Sequence, residues 1–294
     1  MGGDDLDDFN LENYSNSSAE EELEEIQTGD LLASSQFDND DGDDGEADLD
    51  SSATDKKRKR REKMKERKAK RRKLVEERDT DEPQSLAARP HSELATYLSE
   101  MTHKVYADSS DLELENLRIP ESSIADTTVW TGSRTLDQLS SFILKVLPSL
   151  HTRLLMKSKA NGAPTLIFVT GAALRVADVT RILKSNQLRG DKSGDVAKLF
   201  AKHFKLSEHV SYLKKTKVCA AVGTPGRLGK LLCDTDALST SALTHIILDI
   251  TFRDAKKRNL LDIPETRGEV FKTVLGCPSV RQALHAGKVQ LVLF

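Results

Sequence analysis

Gly223-Thr224-Pro225-Gly226-Arg227-Leu228 follows a short apolar run, Val218 to Val222, and leads into a segment of helical composition. These residue types suit a strand-to-helix turn that receives an anion. Pro225 fits the first turn of a helix, where its missing N–H would be an orphan in any case. Gly223 and Gly226 let backbone approach a ligand closely. A helix N-terminus offers unpaired N–H groups and positive potential; Thr224 adds a hydroxyl donor and Arg227 a forked one. The expected chemistry is contact with a phosphate through Thr224, Pro225, Gly226 and Arg227. The alternative is that Pro225 and Arg227 only fix the turn.

A second apolar run, His245 to Leu248, ends in Asp249-Ile250-Thr251-Phe252-Arg253. Phosphoryl transfer needs a P-loop whose backbone and lysine cradle the phosphates, together with acidic residues that hold Mg²⁺ and orient water. No GxxxxGK[ST] occurs in the sequence. Thr131-Gly132-Ser133-Arg134-Thr135 echoes TGSGKT but is one residue short, with Arg134 where Gly-Lys would stand. Ile250 cannot polarise a water. Phe168 to Ala173 superficially matches a dinucleotide turn, yet the second and third glycines of GxGxxG are absent. Cys219, Cys233 and Cys277 have no CxxC spacing, and no Cys/His cluster has zinc-ligand spacing. They read as reduced, mostly buried thiols. The expectation is a chain with no catalytic residue, cofactor or metal.

The elements that must carry these turns follow from periodicity. Pro164 to Thr170, Lys217 to Val222, Thr244 to Asp249 and Val289 to Phe294 read as four buried strands. Ala172 to Lys184, Asp195 to Phe204, Ser207 to Lys214, Pro264 to Leu275 and Pro278 to His285 read as helices. Strands alternating with helices predict an α/β fold with a single parallel sheet flanked by helices on both faces. Ahead of it, Leu94, Leu98, Met101 and Val105 mark one face of a helix over His91 to Val105, with Ser92 as a possible N-cap. Leu112, Leu114 and Leu117 lie in a turn-rich piece ending at Pro120. Thr135 to Leu147 and Ser149 to Lys157 read as helices interrupted at Pro148. His103 and His151 sit within these patterns as surface or satisfied core residues.

Charge is segregated along the chain. The net charge of the 294 residues is −3, with 37% hydrophobic and 5% aromatic residues. Residues 1–50 nevertheless hold 19 Asp/Glu and no Lys or Arg, and residues 56–73 hold 14 Lys/Arg. Residues 1–55 cannot bury enough apolar surface to offset their ordering entropy, so an acidic disordered tail is expected. Residues 56–78 read as a basic arm beginning Lys56-Lys57-Arg58-Lys59-Arg60-Arg61, suited to nuclear import or to phosphate binding through counterion release. Residues 79–89, with Pro83, read as a linker, and 90–294 as one domain. No stretch approaches a membrane span and the acidic N-terminus is unlike a secretory signal. A soluble intracellular protein is expected.

The order strand–TGAAL–helix, strand–GTPGRL–helix, strand–LDITFRD and final strand VQLVLF resembles the first RecA-like half of a DEAD-box RNA helicase. Gly223 to Leu228 is similar to that family's TPGRL motif, which meets the RNA sugar-phosphate backbone. Asp249 and Arg253 match the motif that names the family, whereas Ile250, Thr251 and Phe252 replace Glu-Ala-Asp. Gly171-Ala172-Ala173-Leu174 lacks the RNA-contacting Pro-Thr-Arg-Glu, although Arg175 and Arg181 follow nearby. With the acidic tail, basic block and helical lead-in included, the chain more closely resembles the Cms-one (complementation of Mcm-ten suppressor) family. That family is associated with the nucleolar small-subunit pre-ribosomal complex carrying a box C/D small nucleolar ribonucleoprotein. The resemblance implies a non-enzymatic ribosome-biogenesis factor of the nucleus and nucleolus, a pseudo-helicase that binds pre-ribosomal RNA and assembly proteins and no membrane. The rival readings are a weakly active ATP-dependent RNA helicase-like enzyme and another nucleotide-binding α/β protein.

Overall fold

The computed structural model describes residues 85–190, 193–202 and 204–294. The expectations for the acidic segment, the basic arm and residues 79–84 lie outside the described residues. Five strands form one parallel sheet: β1 (Leu166–Val169), β2 (Asp195–Leu199), β3 (Val218–Gly223), β4 (His245–Leu248) and β5 (Gln290–Leu293), in the order β2-β3-β1-β4-β5. β1, β3 and β4 are buried at every position, as both-face covering demands.

Side-chain alternation divides the interior in two. Ile167, Val169, Ala221, Ile246, Leu248, Leu291 and Leu293 face one core. There they meet α1 (His91–Val105), α6 (Leu206–Lys215), α7 (Pro225–Cys233) and α9 (Pro278–His285) through residues such as Leu94, Leu98, Leu213, Leu228, Leu231 and Val280. Leu166, Phe168, Ala220, Val222, Ile247 and Val292 face the other, against α3 (Leu139–Val146), α4 (Pro148–Leu154) and α5 (Ala173–Leu183). The period of two along each strand and the apolar stripes of the helices therefore produce one α/β sandwich.

The differences from the sequence expectations have local causes. Asp195–Leu199 is an edge strand rather than part of a helix, because pairing with β3 buries Val196, Ala197 and Leu199 while Lys198 stays exposed; burial outweighs a weak local preference. The expected helix over Pro264 to Leu275 is α8 (Pro264–Glu269) followed by a π-helical turn, Val270–Val274, closed by the Leu275 N–H donating to the Val270 carbonyl at 2.8 Å. The break expected at Pro148 falls at Leu147, with Pro148 as the first residue of α4. The α1 cap is Pro90, and Ser92 lies inside the first turn. The turn-rich piece is α2 (Asp111–Leu117), entered through a capping box of Ser110 and Glu113. The packed structure also begins ahead of residue 90: Ala87 is wholly buried and its carbonyl accepts from the Thr127 hydroxyl at 3.1 Å. Among the described residues no helix is long and apolar enough to cross a membrane.

Candidate functional site

Strands of one direction bring their C-terminal ends to one rim. The register aligns Val169 with Gly223 and with Leu248, Leu199 with Gly223, and Leu248 with Leu293. The turns after β1, β2, β3 and β4 are thus neighbours. The chain leaves β1 toward the β2 edge and leaves β4 toward the β5 edge, so the topology reverses between β1 and β4. Open α/β sheets bind ligands in the crevice at that reversal.

Here the crevice holds the chain's own charges. Asp249 is wholly buried directly after β4. Its Oδ2 accepts from Arg175 Nε at 2.8 Å and from the Thr170 hydroxyl at 3.0 Å; its Oδ1 accepts from Arg175 Nη2 and from the Phe252 N–H, both at 3.3 Å. Arg175 comes from the first turn of α5, is 10% exposed, and lies over the Phe252 ring at 5.2 Å. Two donors of a rigid fork on two carboxylate oxygens make a bidentate pair. Every lone-pair direction this carboxylate would offer a metal-bound water is thus engaged within the protein. Ile250 is buried in the apolar core, its N–H donating to the Phe294 carbonyl at 2.8 Å.

The TGSRT stretch is turned inward as well. Arg134 is 7% exposed, donating through Nη1 to the Leu293 carbonyl and through Nη2 to the Thr127 carbonyl and hydroxyl, with its guanidinium over Phe142. Burial pulls its pKa down to about 10. The Arg134 carbonyl accepts from the Thr251 hydroxyl at 3.1 Å, tying this loop to the segment after Asp249. Arg134 therefore braces β5 and the N-terminal lead-in.

The TPGRL turn sits at the head of α7, Pro225 being its first residue and Thr224 its cap. Thr224 is half-buried and its side chain makes no cap hydrogen bond. The close approaches at its glycines are internal. A Cβ on Gly223 would collide with the Leu199 carbonyl, and one on Gly226 would stand 2.5 Å from Glu269 Oε1. Glu269 accepts the Gly226 N–H, and burial pushes the Glu269 carboxyl up. A carboxylate delivered by the end of α8 thus occupies the helix N-terminus. Arg227 is 9% exposed; Nη2 donates to the Phe204 carbonyl at 2.8 Å and Nη1 lies 3.4 Å from His209 Nδ1. Burial, reinforced by Arg227, drives the His209 pKa down to about 4, so the neutral ring accepts from the guanidinium.

The rim consequently unites Thr224, Pro225, Gly226 and Arg227 with Asp249 and Arg175, whereas Lys56 to Arg61 lie outside the described residues. Glu269 and the Phe200–Lys205 loop went unnoticed in the sequence reading. Alternating aromatic and basic residues at Lys198, Phe200, Lys202, Phe204 and Lys205 were the available signal for the loop, and nothing local marks Glu269. Among the described residues no group of three or more His, Cys, Asp or Glu is placed to hold a metal ion. Cys219 and Cys277 are buried free thiols and Cys233 is an exposed one. An open groove of about 820 Å³ between α2 and α9 is lined by Tyr106, Glu113, Asn116, Arg281 and His285, none of which belongs to a rim turn.

Fold and rim together define a parallel α/β domain whose switch point is closed by its own salt bridge. The chain belongs to the Cms1 family: the family model described as "U3-containing 90S pre-ribosomal complex subunit" matches residues 39–294. Protein CMS1 of Chaetomium thermophilum is 41% identical over 173 residues, 59% of this chain and 67% of that protein. Protein cms1 of Schizosaccharomyces pombe is 34% identical, covering 69% of this chain and 70% of the relative. Human protein CMSS1 is 35% identical over 55% of this chain, which spans about half of that protein, 54%. Solved structures similar to it include a DEAD-box protein of Methanococcus jannaschii (16% identity, TM-score 0.31, 56% of this chain and 37% of that one). The yeast DEAD-box splicing factor Prp28 is another (15%, TM-score 0.37, 55% and 34%). The fold class rests on the sheet itself, since scores of that size add nothing to it.

Proposed function

We propose that this chain is a non-catalytic ribosome-biogenesis factor of the small-subunit pre-ribosomal complex, acting in the nucleus and nucleolus by holding RNA and assembly proteins. The family description, a U3-containing 90S pre-ribosomal complex subunit, supports the setting. The observation that carries the non-catalytic reading is the wholly buried Asp249 carboxylate, both of whose oxygens are bonded inside the protein. A carboxylate so engaged must break a bidentate pair before it can hold Mg²⁺. Residues 56–73 supply sequence-independent affinity through counterion release, and the folded domain supplies shape-specific docking. At the TPGRL turn the Thr224 hydroxyl is the group that meets RNA phosphate, beside Pro225 and Gly226, while Arg227 holds the turn.

Three experiments test this. ATP hydrolysis by the full chain, with and without RNA, is expected to stay at the blank rate; RNA-stimulated turnover abolished by Asp249→Asn would overturn the non-catalytic reading. Crosslinking of the tagged protein in cells followed by sequencing of attached RNA is expected to return pre-ribosomal reads. A complete absence of RNA would leave a protein-only scaffold. Deleting residues 56–73 is expected to lower RNA affinity and nucleolar retention together.

A further inference from the structure

Beside the TPGRL turn, the loop after β2 presents an aromatic side chain to solvent. Phe204 is 39% exposed. It is held on two sides. Phe200 meets it edge-on with centroids 5.4 Å apart, and the His209 ring stacks on it at 5.4 Å with the planes 29° apart. Arg227 fixes the platform residue and one support, donating to the Phe204 carbonyl and lying 3.4 Å from His209 Nδ1. Lys198, Lys202 and Lys205, in the same stretch of chain, are exposed. The nearest acid in sequence, Glu208, spends its carboxylate on the Lys205 N–H at 3.0 Å.

We infer that Phe204 is a stacking platform for an unpaired base of single-stranded RNA, with Lys198 and Lys205 receiving the flanking phosphates. The inference rests on the RNA-binding part of the proposed function and names its contact residues. A rigidly backed ring with cations in the same stretch of chain is what a base face and its backbone require, and stacking is tolerant of sequence because every base has a π-face. A duplex keeps its bases stacked internally and cannot use such a platform. Arg227 is then a positioning residue: it aims the ring and touches no RNA. The arginine that the motif alone offers as a phosphate ligand thus acts through the neighbouring loop.

Phe204→Trp in the full chain tests this, because the single native tryptophan, Trp130, is 8% exposed and serves as internal control. A labelled short oligouridylate reports binding by anisotropy while tryptophan emission is followed with the unlabelled strand. The expected result is a saturable fall in emission from Phe204→Trp with the same midpoint as anisotropy, and no change in the parent protein. Phe204→Ala should weaken binding roughly tenfold, and Arg227→Lys should reduce the quench more than it reduces affinity. RNA bound with the new tryptophan silent would overturn the platform while sparing RNA binding by other surfaces, and would make the ring a protein-docking residue. Equal quenching by a blunt RNA duplex would overturn the single-strand assignment. No anisotropy change at all would overturn the RNA-binding function itself, and the platform with it.

Discussion

Asp249 and Arg175 show how one side chain changes the meaning of a motif. A carboxylate after a central strand reads as a metal ligand until an arginine from the neighbouring turn takes both of its oxygens. Breaking a buried pair by removing one partner leaves an uncompensated charge, at a cost of about 3–5 kcal/mol. Arg175→Ala is therefore expected to lower the free energy of unfolding by that amount, read as a lower urea midpoint, and Arg175→Ala with Asp249→Asn by less than the sum of the singles. Additive losses would mean that the two groups do not depend on each other. Arg227 follows the same logic on a smaller scale. Its donors go to a carbonyl and a neutral imidazole, so its loss is expected to raise hydrogen exchange in residues 200–205 before it alters the sheet.

The π-helical turn is the element that sets the TPGRL helix in place. It offsets Val270–Val274 from α8 so that Glu269 reaches the Gly226 N–H and Thr273 packs on Gly229. A Cβ on Gly229 would run into the Thr273 hydroxyl and stand 2.5 Å from its Cβ. Gly229→Ala is expected to cost about 1–3 kcal/mol through overpacking, read as a lower urea midpoint at unchanged slope. Gly229→Ala with Thr273→Ala, which removes the colliding hydroxyl, should recover part of it. α2 behaves differently because none of its residues is buried. Ser110→Ala removes the capping box and is expected to cost about 1 kcal/mol, visible as faster exchange in residues 111–117 with little change in global unfolding. The edge strand β2 is the element that local pattern hid: Asp195 to Phe204 has helix-forming composition, and only pairing with β3 makes five of its residues a strand.

At the scale of the whole molecule, acid should act through histidines. Burial lowers the pKa of His245 from 6.5 to about 4, reinforced by Arg153, and that of His209 to about 4. The unfolded chain binds protons first, so stability is complete above about pH 6.5 and is lost as pH falls toward 4. For His245 the full loss is worth roughly 3 kcal/mol. Glu269, raised by burial, works with the opposite sign nearer pH 4.5. Urea unfolding between pH 7 and 4 is expected to show a steady fall in the midpoint that His245→Gln reduces; a flat profile would contradict it. The segregated charges outside the described residues complete the functional proposal. The 14 cations in residues 56–73 predict a steep fall in RNA affinity with salt, and the deletion should flatten that slope.

The sequence by itself determined the alternation of buried strands and helices, the missing P-loop, Ile250 after Asp249, and the two runs of like charge. All of these are local: a strand's period, a motif's spacing and a run of like charges are legible without knowing what lies opposite. The tertiary structure alone decided what the motif residues touch. Arg175 and Asp249 are 74 residues apart, and Arg227 meets Phe204 across 23. Glu269 arrives at Gly226 from a helix that the sequence reading placed without its π-turn. Such pairings depend on strand order and helix offset, quantities set by the packing of the whole sheet and written in no single stretch of chain. That packing turned the charged groups of the switch-point crevice inward, and it left Phe204 at the rim facing solvent.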